Sequence, residues 1–249
     1  MLQSWAGSPT RFREDANAEE DLVLGGYVDT WFVELVQNAA DAGARRVRVS
    51  AVDGELRVAG DGTPLTAAGV AALASLRASA KREDDGSVGR FGVGFAAVLA
   101  VSEEPRIAST GGGVAFSATG TRSEIAAIDV VAAELARRPG PPPVLRLVWP
   151  LAEEPPDGFG TEVRLPVRAG LDVDELLDQA RDTAPDLLLA LPGLAMIDVG
   201  GVVLRRIVEG DRVIVGERHW RIARGSGVLA AADRDRAAEQ RDRARWTVT

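Results

Sequence analysis

Glu34-Leu35-Val36-Gln37-Asn38-Ala39-Ala40-Asp41-Ala42, closed by Gly43, is the stretch on which the reading of this chain turns. It predicts a helix from about Val28 to Ala42, with good helix formers throughout, no proline, and glycine only where a helix should stop. At about 100° per residue, Glu34, Asn38 and Asp41 fall within an arc of roughly 60° on one side. Phe32, Val36, Ala39 and Ala40 fall on the other, so the helix is amphipathic. A polar stripe of this kind is often just a wetted face. A carboxylate, a carboxamide and a second carboxylate one turn apart have another use. If a phosphate-bearing ligand lies across them, they order a water, a hard cation and a polar ligand edge.

Working outward, composition narrows the classes. The 249 residues sit at the upper end for one domain and leave room for two subdomains. Hydrophobic residues make up 46% and aromatics only 5%, so the core should be built of Val, Leu and Ala. A formal net charge of −8 disfavours a nucleic-acid backbone as principal partner but leaves room for a local basic pocket. The absence of cysteine removes disulfides, thiolate metal sites and Cys nucleophiles together, and fits a reducing compartment. Met1 to Glu20 lacks the apolar core of a signal peptide, and no run of about 18 apolar residues occurs. A soluble, cytoplasmic protein with no membrane partner is expected.

Upstream of the helix, residues 1 to 22 predict a short helix or arm ending near Gly25-Gly26. Downstream, Arg46 to Ser50 and Glu55 to Ala59 alternate as strands, joined by the two-residue hairpin signal Asp53-Gly54. Thr66 is a credible N-cap for a helix over Ala67 to Ala74. Residues 75 to 88 lose periodicity and predict a mobile loop. An apolar helix is expected from Phe95 to Val101, strands at Pro105 to Ser109 and Gly113 to Ala118, and a helix over Glu124 to Arg138. After Pro139-Gly140-Pro141-Pro142-Pro143, strands are expected at Val144 to Trp149 and Gly160 to Pro166. A helix interrupted near Pro185 follows over Asp172 to Leu191, then a meander over 195 to 224 containing the only histidine, His219. A charged tail runs from Ala230 to Arg245, and Arg245 to Thr249 looks like the start of a strand, as if the chain continued into something longer.

The second decisive stretch is Gly89-Arg90-Phe91-Gly92-Val93-Gly94, running straight into apolar Phe95 to Val101. Glycines let backbone N–H groups approach a ligand, and a helix N-terminus carries partial positive charge. Together they make a phosphate cradle. The pattern is not a P-loop, because no Gly-Lys-Ser/Thr follows, and a charged loop rather than a strand precedes it, unlike a dinucleotide fingerprint.

Four boxes now stand in order: Glu-x-x-x-Asn-x-x-Asp-Ala at Glu34, Asp-Gly-x-Pro at Asp61, Gly-Arg-Phe-Gly-Val-Gly-Phe at Gly89, and Gly-Thr-Glu-Val at Gly160. This order resembles the GHKL ATPase superfamily of DNA gyrase, ninety-kilodalton heat-shock chaperones, histidine kinases and MutL. Within it, Arg11 to Glu20 and Leu76 to Lys81 are most similar to bacterial sacsin-type, chaperone-like proteins. The resemblance covers residues 11 to about 168. It implies an α+β Bergerat fold, a two-layer sandwich of a mixed, largely antiparallel sheet with helices on one face. The ATP-binding domain would span residues 1–168, with a small β-rich accessory region over 169–249.

The resemblance also implies roles. Glu34 would hold and deprotonate the attacking water, and Asn38 would bind magnesium. Asp41 would reach the sugar and adenine side. Arg90, Phe91, Gly92, Val93, Gly94 and Phe95 would form the phosphate loop, their amides cradling the phosphates. Thr161 would support the adenine-binding carboxylate. Ser75 and Lys81 sit where chaperone lids carry nucleotide contacts. One box departs from the pattern. Aligned on Gly62, the family's adenine-binding Asp falls on Gly60, and Asp61 is one residue late. Either the backbone slips by one and Asp61 takes the role, or adenine is held by water and backbone. Losing that bond costs about 1.5–3 kcal/mol, roughly tenfold to a hundredfold in affinity.

The function implied is an ATP-binding, slowly hydrolysing, magnesium-dependent chaperone-like domain whose lid closes over ATP. The alternative is a nucleotide-binding scaffold or sensor with little or no hydrolysis. A histidine-kinase reading lacks a phospho-acceptor domain. Partners implied are the nucleotide and a protein client or further domains of a longer chain, and the family admits a homodimer.

Overall fold

The hairpin at Asp53-Gly54 seeds the sheet. Strand β1 (Arg46–Val52) pairs antiparallel with β2 (Glu55–Gly60), closing at Val52 opposite Glu55. Asp53 and Gly54 both take positive φ, 51° and 77°, the primed two-residue turn whose twist matches the flanking strands. The fold is that of a computed structural model, which describes residues 1–24, 30–74, 94–221, 223–226 and 245–248.

Around this hairpin the chain builds a ten-stranded sheet. Its later strands are β3 (Arg106–Ser109), β4 (Gly113–Ala115), β5 (Trp149–Leu151), β6 (Thr161–Pro166), β7 (Met196–Val199), β8 (Val202–Glu209), β9 (Arg212–Val215) and β10 (Arg218–Arg221). The spatial order is β10-β9-β8-β7-β1-β2-β6-β3-β4-β5. Only the β1–β7 contact is parallel; every other neighbour runs antiparallel. The helices are α1 (Leu2–Gly7), α2 (Pro9–Leu24), α3 (Trp31–Asp41), α4 (Ala67–Ala74), α5 (Ala118–Ala126), α6 (Asp129–Ala136) and α7 (Val173–Ala190), with a 3₁₀ element over Gly94–Ala100. A mixed α+β sandwich of the Bergerat type is the result.

Alternation along the strands sorts the two faces. Val47, Val49, Leu56, Val58, Leu165, Ile197 and Val199 are buried on one face, in a core shared with Trp31, Phe32, Leu35 and Val36 of α3 and with Leu176, Ala180 and Leu188 of α7. The other face carries a chain of ion pairs, Arg57–Glu55–Arg106–Glu153–Arg164–Glu162. Arg164 also donates to the Glu154 carbonyl at 2.8 Å. The guanidinium carbons of Arg48 and Arg46 lie 4.5 and 5.4 Å from the centre of the buried Phe159 ring. Among the described residues no helix is long and apolar enough to cross a membrane.

Several expectations change at the tertiary level. The helix expected over 124–138 divides into α5 and α6. In one continuous helix Ile125 and Val131 would face about 120° apart, whereas both are fully buried against Trp5 and Phe12. The strand expected at Val144 to Trp149 shrinks to Trp149–Leu151, because the amides of Val144 and Leu145 donate to the Glu19 carboxylate instead of to a neighbouring strand. Helix α7 runs through Pro185 without interruption. Buried Ala180 and Ala184 before it and Leu187 and Leu188 after it all pack on the one core, which holds the helix together across the lost hydrogen bond. Phe95 to Val101, expected as an α-helix, is wound as 3₁₀ over Gly94–Ala100. The meander over 196–221 extends the main sheet beyond β1, with β7 paired to it. The expected tail lies mostly outside the described residues, and Arg245–Val248 (β12) pairs with Ala223–Ser226 (β11).

Candidate nucleotide site

Helix α3 buries Trp31, Phe32, Leu35 and Val36 and packs along the 3₁₀ element. That leaves the Glu34, Asn38 and Asp41 stripe on the remaining side. Glu34 is half-buried, and its carboxylate lies directly over Gly94. A Cβ built on Gly94 would stand 2.2 Å from Glu34 Oε2, so no residue but glycine fits without moving the acid. Burial pushes the Glu34 carboxyl above its ordinary range. One turn on, Asn38 Nδ2 is buried without a hydrogen-bond partner among the described residues. A buried donor left open in this way costs about 1–3 kcal/mol unless a ligand or water fills it. Asp41 is exposed at the last turn. A half-buried carboxyl over the first residue of the glycine-led element and an unpartnered carboxamide thus stand one helical turn apart.

Of the expected phosphate loop, Gly94 and Phe95 are described. Phe95 is 2% exposed, and its ring lies 5.9 Å from that of Phe116, so its side chain is core while its backbone opens the 3₁₀ element. Ser75, Lys81, Arg90, Phe91, Gly92 and Val93, with the expected lid at 75–88, lie outside the described residues.

The second end of the site is where β2 leaves the sheet. Gly60 pairs with Thr161 on β6, and Thr161 pairs with Ser109 on β3, which sets these three residues in one row on the α3 side of the sheet. Helix α3 comes so close that a Cβ on Gly60 would lie 3.1 Å from Ala39 Cβ. The turn after Gly60 packs backbone on backbone. Thr63 N donates to Ala42 O at 2.8 Å, Gly160 N donates to Gly60 O at 2.9 Å, and a Cβ on Gly160 would lie 2.1 Å from Gly62 O.

Asp61 points away from that row. Its Oδ1 accepts from the Arg45 and Arg46 amides at 2.7 and 2.8 Å, and its Oδ2 accepts from Arg46 Nε at 2.8 Å. Partial burial acts to raise its pKa, but the Arg46 and Arg45 donors outweigh it and hold the carboxyl below the ordinary range. Arg46 also donates to Gly158 O at 3.1 Å. Asp61 is therefore a brace tying the start of β1 to the loop that leads into Thr161.

Sequence reasoning missed Ser109, the close approach made by Gly160, and the Arg45–Arg46 clasp. Gly160 was visible in its box, and paired arginines at a strand start next to an Asp-Gly turn were a weak signal. Ser109 carried none.

No curated protein matches the chain. Residues 29–138, which hold Glu34, Asn38, Gly60, Asp61 and Gly94, match the family model described as histidine kinase-, DNA gyrase B-, and HSP90-like ATPase. That match supports the GHKL superfamily for this segment and indicates an ATP-binding domain of the GHKL ATPase type.

Proposed function

We propose that this domain binds ATP across α3 and the Gly94 element and hydrolyses it slowly, with Glu34 as the general base. The observation that carries the reading is the Glu34 carboxyl lying over Gly94, with the unpartnered, buried amide of Asn38 one helical turn further along α3. A carboxylate whose pKa is raised by burial is a better proton acceptor near neutral pH than an ordinary one. The missing side chain at Gly94 leaves the space that this carboxyl occupies. Asn38 fits magnesium as a neutral oxygen ligand, and its open amide donor fits a phosphate oxygen. Magnesium held by Asn38 would supply charge neutralisation to the phosphates. Glu34 takes the proton as the water oxygen bonds to the γ-phosphorus and the bond to the ADP oxygen breaks, ADP leaving with the electron pair.

By the same resemblance the nucleotide drives a conformational change of the chaperone or sacsin type, passed to a protein client or to further domains. Calorimetry with magnesium and ATP, alongside phosphate release, tests the reading. Glu34→Ala should bind ATP and lose turnover. Turnover unchanged in that variant removes Glu34 from the reaction, and no heat with ATP, ADP or GTP refutes a nucleotide site. Binding without turnover in the parent chain leaves a scaffold or sensor.

A further inference from the structure

We propose that the base end of this site reads a purine through hydroxyl groups rather than a carboxylate, and that it binds ATP and GTP with nearly equal affinity; this rests on the nucleotide reading above. The row that faces α3 at the end of the sheet is Gly60, Thr161 and Ser109, none of them acidic. Of the acids near this row, Asp41 stands outside it on the exposed last turn of α3, and the two adjacent to the row in sequence are committed elsewhere. Asp61 accepts three hydrogen bonds from Arg45 and Arg46, and Glu162 is on the opposite face of β6, paired with Arg164 at 2.5 Å. A Cβ on Gly60 would stand 3.1 Å from Ala39 Cβ, so a side chain there would press on α3.

The hydroxyls behave differently from a carboxylate. An ionised carboxylate only accepts, so it favours the amino edge of adenine and repels the carbonyl of guanine. Ser109 is 3% exposed, and its Oγ already accepts from Leu65 N at 2.9 Å and Gly111 N at 3.3 Å, which leaves its O–H as a donor. Thr161 is half-buried, and its hydroxyl has no partner among the described residues, so it can donate or accept. A rotatable O–H suits either purine edge. With an acceptor-only group, the loss of a charged hydrogen bond would cost GTP tenfold or more.

The test is calorimetric titration of the whole chain with magnesium-ATP and magnesium-GTP, repeated on Asp61→Asn and Thr161→Val. The expected parent Kd ratio is below ten. Asp61→Asn should lower the melting temperature and leave the ratio where it was, and Thr161→Val should weaken both nucleotides together, by roughly threefold to tenfold. A parent preference for ATP of tenfold or more overturns the proposal while leaving the nucleotide site intact. So does an Asp61→Asn variant that loses ATP affinity tenfold with GTP unchanged. A folded parent chain that binds neither nucleotide instead removes the nucleotide reading and this proposal with it.

Discussion

Replacing Glu19 by glutamine should flatten the pH dependence of stability. The Glu19 residue is 4% exposed. Its Oε2 accepts from Val144 N at 2.5 Å and its Oε1 from Leu145 N at 3.1 Å. Arg146 Nε stands 3.8 Å from Oε1, and the same guanidinium pairs with Asp15 at 3.1 Å and donates to the Ala74 carbonyl at 3.1 Å. Burial dominates these contacts: the carboxyl is pushed up to about 7 from an ordinary 4.5, with Asp15 adding to the rise and the two amides and Arg146 opposing it. Because the folded pKa is raised, the folded chain keeps a proton that the unfolded chain has lost. Stability from this group is full below the ordinary pKa, falls as pH rises towards 7, and is level above that. At about 1.36 kcal/mol per pH unit, the interval amounts to roughly 3 kcal/mol, of which about 2.5 is lost between pH 5 and pH 8. Urea denaturation of parent and Glu19→Gln at these two pH values isolates the contribution of this carboxyl, since other carboxylates contribute equally to both. The parent should lose about 2.5 kcal/mol more than the variant over this range. Equal losses, to within about 0.5 kcal/mol, would refute the claim that burial controls this carboxyl.

Asp61→Ala should cost about 2 kcal/mol at pH 7, from two backbone bonds at about 0.5–1.5 kcal/mol each and an ion pair discounted for the 46% exposure of the Arg46 side chain. Its folded pKa is lowered, so the contribution is present above the ordinary carboxylate range and disappears as pH falls through the folded value. Thermal melts of parent and variant should therefore converge in acid, and an unchanging gap would point to a steric cause. Gly160→Ala places a methyl 2.1 Å from Gly62 O, backbone against backbone. It should destabilise by about 1–3 kcal/mol and weaken nucleotide binding as Thr161 shifts. A melting temperature equal to the parent's would show that the 60–63 turn yields freely.

Much of the site was legible because its signals are local. Glu34 and Asn38 share a face through the helical period, and Asp53-Gly54 selects its turn with two residues. Thr66 caps α4 by accepting from Gly69 N at 3.1 Å, three positions on. The paired strands Arg46–Val52 and Glu55–Gly60 follow from alternation and that turn. Such features depend on the next few residues, and the chain carries them wherever it goes. The partners of Asp61, by contrast, lie 15 and 16 residues away across a strand pair, and those of Glu19 lie 125 and 126 residues away. Nothing in an Asp-Gly turn says whether its acid faces a ligand or an arginine. Only packing decided that, together with the break between α5 and α6 and the parallel docking of β7 on β1. Local period and turn chemistry wrote the helix face and the glycine-led element into the sequence. Which carboxylates remain free to meet a ligand was settled by burial and by long-range hydrogen bonds, which exist only once distant segments have closed on one another.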